Sequence, residues 1–463
     1  MTDIRAMIFS GKAEHLLPGL PENSADAVIT DPPYGLAELP PAVIVKALTA
    51  WLAGDRMHVP DGKGFMGQDW DRFVPPPGIW DECYRVLKPG GHMAVFAGTR
   101  TADLMGLSIR LAGFEIRDTL HWLHGQGFPK SLDVSKAIDK AVGAEREVVG
   151  EGQPFGRGSM RNRSRVEIGY RPTEVNPEGG TAQITAPATE DAASWEGWGT
   201  ALKPGHEPIL LCRKPLTGTV AANVLEHGTG AMNLAACTVA HASAADLAES
   251  QGKNQHTAYD NQSSRMGAHG VYGKAGVQRP DYDGASGRWA PNLLLTHSAD
   301  CNGNCVPGCP VAGLDAQSGI TSERARVLNR NGERQMDGWG LGAESKGVVH
   351  GDAGGASRFF PQFTWDPKYD LPFLYQAKAP KSERPRVEGL PSHPTVKPLA
   401  LMRWLARLLC PPDGLIADPF GGTMTTVQAA LAEGFRAVAA DSWPDAIAHA
   451  RVRLDGIEGV AFG

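Results

Sequence analysis

Short apolar runs alternate with helically spaced ones over the first 123 residues of the chain. An apolar run at residues 4–9 precedes a helical stretch at 13–17, and residues 25–30 (ADAVIT) read as a buried strand that ends at Asp31. Residues 80–87 carry helical spacing and are closed by Lys88-Pro89-Gly90-Gly91, a stop-and-turn signal. A strand at 92–97, a helix at 101–111 and a strand at 114–123 follow. This βαβ rhythm predicts a parallel sheet covered on both faces by helices.

The pattern then changes. Residues 124–205 and 215–390 are dominated by Gly, Pro, Ser, Asn and Arg, with poor periodicity and no fixed-period repeat. One apolar strand, residues 207–213 (EPILLCR), interrupts them. From residue 391 the rhythm returns: helix 399–409, strand 414–418, helix 423–432, strand 435–441, helix 444–454. The expected organisation is therefore a split α/β core. Residues 1–123 form its first part, 124–205 an insertion, 206–214 a core strand, 215–390 a second insertion, and 391–463 the last part of the core. The core segments together come to about 200 residues, a normal domain size.

Composition sharpens this picture. Glycine (56) and proline (35) make up about a fifth of the 463 residues, against roughly 12% in average usage, as long irregular insertions require. The longest apolar stretch, residues 42–53, is broken by Lys46, so no membrane-spanning helix is expected. Met1-Thr2-Asp3-Ile4-Arg5 lacks the plan of a signal peptide, and seven cysteines in so long a chain suit a reducing compartment. A cytoplasmic protein is expected. The net charge of −6 argues against nucleic-acid binding by bulk charge; local charge differs, although either basic patch alone reads first as solvated loop charge. Five arginines (157, 161, 163, 165, 171) stand against one acid, Glu167, and Lys378, Lys381, Arg384 and Arg386 form a second basic cluster.

Two strand ends carry candidate chemistry. At the later one, Asp418-Pro419-Phe420-Gly421-Gly422-Thr423-Met424-Thr425 leads from strand to helix, and a glycine turn there lets a ligand approach the backbone. Asp441, at the next strand end, has the spacing of an acid that binds ribose hydroxyls. At the earlier one stands Asp31-Pro32-Pro33-Tyr34. The two prolines have no N–H to offer. A carboxylate, a carbonyl and an aromatic ring together suit a planar amine such as a nucleobase.

These residues resemble the amino-methylating DNA methyltransferases, which move a methyl group from S-adenosylmethionine to adenine N6 or cytosine N4. Asp31-Pro32-Pro33-Tyr34 is similar to their catalytic motif, and Asp418-Pro419-Phe420-Gly421-Gly422-Thr423 to their cofactor motif. His393-Pro394-Thr395-Val396-Lys397-Pro398 is similar to the segment that precedes the cofactor strand, and Arg85-Val86-Leu87-Lys88-Pro89-Gly90-Gly91 to the turn after the catalytic motif. With the catalytic motif first, the order resembles the β group, whose target-recognition region lies between the motifs. Residues 354–360 and 195–200 look like segments of phage and prophage members. Four positions depart from the pattern: Met424 stands where a glycine is usual and Val427 where another often follows, Lys12 follows Gly11 where an acid is common, and Asp441 replaces the commoner glutamate.

The resemblance implies a Rossmann-like, S-adenosylmethionine-dependent methyltransferase sheet with helices on both faces, and a site-specific enzyme often paired with a restriction activity. It implies catalytic Asp31, Pro32, Pro33 and Tyr34, and cofactor contacts from Asp418, Phe420, Gly421, Gly422, Thr423, Thr425, Asp441, His393 and Lys397. The partner is double-stranded DNA, with no membrane; dimerisation is common in the group, so a homodimer is admitted. Asp at position 31 favours adenine N6, because cytosine-N4 members more often carry Ser there. Cytosine N4, or an inactive DNA-binding relative motivated by Met424, are the alternatives. Hydrogen bonds from the target amine to Asp31 and the Pro32 carbonyl favour pyramidal nitrogen, which frees its lone pair for in-line attack.

His297, Cys301, Cys305 and Cys309 recur at a spacing of four. Asn302-Gly303-Asn304 and Pro307-Gly308 break any helix between them. Two readings stand: a metal-organised loop holding structural zinc, or free thiols in a loop. Trp122, Trp195, Trp198, Trp289 and Trp365 are aromatic enough to stack on bases but are more often local core anchors.

Overall fold

The computed structural model describes residues 4–37, 39–62, 64, 69–123, 131–154, 181–202, 204–239, 247, 287, 289–297, 301, 305–306, 309–318, 362–363, 385–387, 390 and 396–463. The strands are β1 (Ala6–Ser10), β2 (Ala25–Thr30), β3 (Leu87–Phe96), β4 (Glu115–Leu123), β5 (Val148–Pro154), β6 (Thr181–Thr185), β7 (His206–Arg213), β8 (Leu293–Thr296), β9 (Gln362–Phe363), β10 (Leu415–Asp418), β11 (Arg436–Asp441) and β12 (Val460–Phe462). The chain divides into two compact units, Met1–Asn233 with Trp365–Gly463, and Leu234–Thr364. No helix among the described residues is long and apolar enough to cross a membrane.

The first unit is an α/β fold around a mixed sheet in the order β12-β1-β11-β10-β2-β3-β7-β4. Its pairings are parallel except at β7, which runs antiparallel between β3 and β4. All six residues of β2 are buried, which explains its near-continuous apolar run: a central parallel strand is covered on both faces. Its one charged residue, Asp26, takes the Lys88 ammonium at 2.5 Å and the Leu415 N–H at 2.8 Å, so the buried carboxylate is paired and the β2–β10 edge is stapled.

Helices cover the sheet as the spacing predicts. The helix Leu399–Leu409, opened by Pro398, buries Leu401, Met402, Leu405, Leu408 and Leu409 and packs on the helix Thr425–Ala432. The helix Pro77–Val86 buries Ile79, Trp80, Cys83 and Val86, and they join Trp51, Phe73, Met93 and Met105 in the main apolar core. Truncating a fully buried leucine such as Leu401 to alanine costs about 2–5 kcal/mol.

The expected turn at 88–91 is a bulge instead. β3 starts at Leu87, and its register with β2 jumps from Ala25–Leu87 to Ala27–His92. Gly90 adopts φ +77°, and a side chain there would collide with the Asn223 amide, which donates to the carbonyls of Pro89 and Thr229. Gly90 N–H donates to the carbonyls of Lys214 and Pro215, just past β7. Long-range contacts thus turn a stop signal into a strand irregularity.

Within residues 124–205, expected to be irregular, regular elements form around one carboxylate. Asp139, on the helix Val134–Ala141, accepts from Arg146, from the Thr189 hydroxyl and from Ala188 N–H. Beside it lie the antiparallel pair β5–β6 and the short helix Glu190–Ser194; the caps of the two helices, Asp133 and Thr189, accept from Lys136 and Ala192 N–H. The helix does carry apolar spacing, at Val134, Ala137, Ile138 and Ala141, but over only eight residues, and the bonds that tie it to its neighbours are polar. In the second unit, β8 and β9 pair in parallel, and the helix Pro310–Ser318 packs against β8.

Candidate active site

Crossovers leave the sheet centre in opposite directions. β10 is followed by β11 on one side and β2 by β3 on the other, so the carboxyl ends of β10 and β2 frame the topological switch point, where open α/β sheets bind ligands. Thr30, the last residue of β2, donates its hydroxyl to Asp418, the last residue of β10, at 2.7 Å. The two strand ends singled out in the sequence are thus directly joined.

On the β2 side, Asp31 is partly exposed and its carboxylate takes the Lys397 ammonium at 2.5 Å. Lys397 is only 3% exposed, and its other oxygen neighbours are the Tyr34 hydroxyl at 3.0 Å and Glu207 at 3.4 Å. Three N–H groups therefore face three oxygens. Its charge also lies 4.8 Å from the Phe96 ring centre and 5.4 Å from that of Tyr34. Burial pulls the ammonium toward neutrality, but Asp31 and Glu207 outweigh it and raise its pKa above the ordinary lysine value.

Tyr34 accepts from Lys397 and donates to Glu207 at 3.0 Å. Burial, then the charges of Asp31 and Glu207, push its pKa well above the usual phenol value, so it remains a donor. The turn behind it is tightly held. Thr101 donates its hydroxyl to the Tyr34 carbonyl at 2.5 Å, and Gly35 N–H donates to the buried Asp71 at 2.8 Å. Gly35 adopts φ +65°, and a Cβ there would sit 2.5 Å from Val74 N, so glycine is required for the chain to turn after Tyr34. Pro32 is buried and Pro33 half-buried beside these groups.

Glu207 was not among the sequence candidates. It reaches the cluster because β7 is antiparallel: its first residues lie at the edge where the parallel strands end. The only sequence signal is an acid at the start of an apolar strand, 173 residues from Tyr34.

On the β10 side, Asp418 is 2% exposed and accepts from Thr30 and from Phe420 N–H at 3.0 Å. Burial dominates and pushes its carboxyl up to about 6. Asp441 accepts Gly422 N–H on one oxygen and Trp443 N–H on the other, both at 2.7 Å. Burial raises its pKa as well. Each carboxylate oxygen has two lone pairs, so this fixed carboxylate retains capacity for further donors such as sugar hydroxyls. Thr423 accepts from Arg453 at 3.1 Å, and Thr425 opens the helix that follows. Met424 stands in the left-handed region at φ +62° and is fully buried, with its sulfur folded over Gly421. It is part of the packing beneath the turn.

His393 lies outside the described residues, as do residues 157–171, Lys378, Lys381, Arg384, residues 354–360 and Trp365. Trp122 is buried, whereas Trp195 and Trp198 are exposed and meet edge to face at 5.0 Å. In the second unit, one donor atom from each of His297, Cys301, Cys305 and Cys309 falls within 4.8 Å of the others.

The profile of a DNA methylase family, the N6/N4 methyltransferases, matches residues 25–451. The type II methyltransferase M.HindIII of Haemophilus influenzae is 25% identical over 234 residues, 46% of this chain; the match spans 60% of that protein's length. Among solved structures, a putative DNA modification methylase from Thermus thermophilus, complexed with S-adenosyl-L-methionine, is 14% identical, with 99% of both chains covered and a TM-score of 0.36. The cytosine-N4-specific PvuII DNA methyltransferase is 12% identical, covering 99% of this chain and 90% of its own, with a TM-score of 0.38.

Proposed function

Because the chain belongs to the N6/N4 family of DNA methylases, we propose that it moves a methyl group from S-adenosylmethionine to the exocyclic amine of a base flipped out of double-stranded DNA, with adenine N6 as the target. The observation that carries this reading is the pairing of two different strand ends at the switch point. One holds Asp31 and Tyr34, the other Asp418 and, one strand over, Asp441. The donor set suits a nucleoside sulfonium: a ribose-reaching carboxylate fixed by two backbone N–H groups, and a glycine turn beside it. Asp441, Asp418, Phe420, Gly421, Gly422, Thr423 and Thr425 would hold it. When bound, it supplies an electrophilic methyl group and takes up the electron pair of the broken carbon–sulfur bond.

The reacting amine is a poor nucleophile, since its lone pair is delocalised into the ring. Asp31 and the Pro32 carbonyl accept its two hydrogens and favour the pyramidal form. Positive charge then develops on nitrogen. Asp31 and Glu207 together outnumber Lys397 by one negative charge, which favours that charge and the departure of a proton toward Asp31. Lys397 holds Asp31 in position, and the Tyr34 ring offers a stacking face that offsets about 1–3 kcal/mol of the few kcal/mol that flipping costs. Adenine is favoured by the acid at position 31.

Incubation with DNA and isotopically labelled cofactor, followed by nucleoside mass spectrometry, tests the reading. N6-methyladenine is expected. N4-methylcytosine would overturn the choice of base, and no labelled nucleoside on DNA of diverse sequence would overturn the transfer itself.

A further inference from the structure

The second unit contains a cluster that methyl transfer does not use. His297 follows β8 directly, and Cys309 directly precedes the helix Pro310–Ser318, so a strand end and a helix start deliver the first and last members. Cys301 and Cys309 are buried, His297 is half-buried, and Cys305 is exposed. Cys305 Sγ lies 3.3 Å and Cys309 Sγ 3.7 Å from His297 Nδ1, and all four donor atoms lie within 4.8 Å of one another.

We propose that these four side chains bind one structural zinc ion, ligated through His297 Nδ1 and the sulfurs of Cys301, Cys305 and Cys309. Bond lengths of about 2.3 Å to sulfur and 2.0–2.1 Å to nitrogen imply tetrahedral edges of about 3.5–3.8 Å, and the two sulfur–nitrogen separations lie close to that range. Three soft thiolates with one imidazole select zinc over the oxygen-seeking calcium and magnesium. The set is complete with protein ligands, which leaves no open position for a water or substrate and makes the site structural rather than catalytic. Binding displaces the thiol protons into solvent, so formation of the site is favoured by rising pH. The exposed Cys305 gives the ion its way in. Functionally, the ion would clamp β8 to the helix packed on it and so order a unit rich in glycine and polar residues. The assignment is independent of the methyl-transfer reading.

The test uses the full chain, expressed with added zinc and purified without chelator or polyhistidine tag. Elemental analysis should give about one zinc per chain. Cobalt replacement should give intense tetrahedral d–d bands together with thiolate-to-cobalt charge transfer. Cys309→Ser and His297→Ala should each lose most of the metal, whereas Cys83→Ala, in the other unit, should keep it. If those two variants fail to fold, His297→Cys decides, because four thiolates still bind and should shift the cobalt spectrum to lower energy. A folded wild-type chain with less than about a tenth of an equivalent of zinc, a bound iron–sulfur chromophore, or a disulfide within the cluster would each overturn the proposal.

Discussion

The Lys397 ammonium lies 2.5 Å from the Asp31 carboxylate although 366 residues separate them. One residue directly follows the second strand of the sheet, and the other lies just before the helix Leu399–Leu409 near the chain's far end. The ion pair therefore joins the two sequence segments of the core where the ends of β2 and β10 meet. Lys397 also stands between the carboxylates of Asp31 and Glu207.

Lys397→Met should cost about 3 kcal/mol or more, since removing one partner of a buried pair strands the other charge. Adding Glu207→Gln should recover part of that loss by removing one of the two facing carboxylates. Urea unfolding of the single and double variants measures both effects. Equal stability of wild type and Lys397→Met would contradict the pairing.

Asp418 gives a pH signature with a defined sign. Its carboxyl titrates at about 6 in the fold against an ordinary 3.8, so the folded state binds the extra proton between those values. Stability contributed by the neutral form is complete below about pH 4 and is lost as pH rises through 6, amounting to about 3 kcal/mol. Asp418→Asn is neutral throughout and keeps acceptors for Thr30 and Phe420 N–H. It should therefore gain stability relative to wild type as pH rises from 4 to 7, read from unfolding midpoints. A constant difference would show that Asp418 does not titrate in this window.

Tyr34 has two separable parts. Tyr34→Phe keeps the ring but loses the hydroxyl between Lys397 and Glu207, and should lower kcat about tenfold with little change in KM for DNA. Tyr34→Ala also loses the stacking face, worth about 1–3 kcal/mol, and should raise KM for DNA as well. Steady-state kinetics on an oligonucleotide substrate distinguishes the two, and identical defects would contradict the division.

Met424→Gly relieves a left-handed backbone that costs about 1–2 kcal/mol in a non-glycine residue. It also empties a fully buried site, at about 2–5 kcal/mol. A net loss of about 1–3 kcal/mol is expected, with S-adenosylmethionine affinity by calorimetry close to that of wild type. A large gain in affinity would mean that the methionine obstructs the cofactor turn.

What could be read from the sequence was local. Residues 25–30, 415–418 and 436–441 are apolar runs ending in acids or next to them, and their burial in a parallel sheet makes strand and strand end visible together. The Asp31 turn and the Gly421-Gly422 turn follow from the same signal. Glu207 was invisible, because its place depends on β7 inserting antiparallel between β3 and β4, a pairing no local pattern encodes. The bulge at 88–91 likewise needs Asn223, which is distant in sequence. Around Asp139 the tying interactions are polar, and the apolar spacing of its helix (Val134, Ala137, Ile138, Ala141) spans only eight residues within a glycine- and proline-rich stretch.

Methyl transfer through Asp31 is tested by long-read modification calling on DNA from a host that expresses either the wild-type chain or Asp31→Ala. N6-methyladenine is expected in one recurrent sequence context with the wild type and none with the variant, while both purified proteins bind S-adenosylmethionine with similar affinity. Unmodified DNA from the wild-type host, or equal modification from the variant, would contradict it.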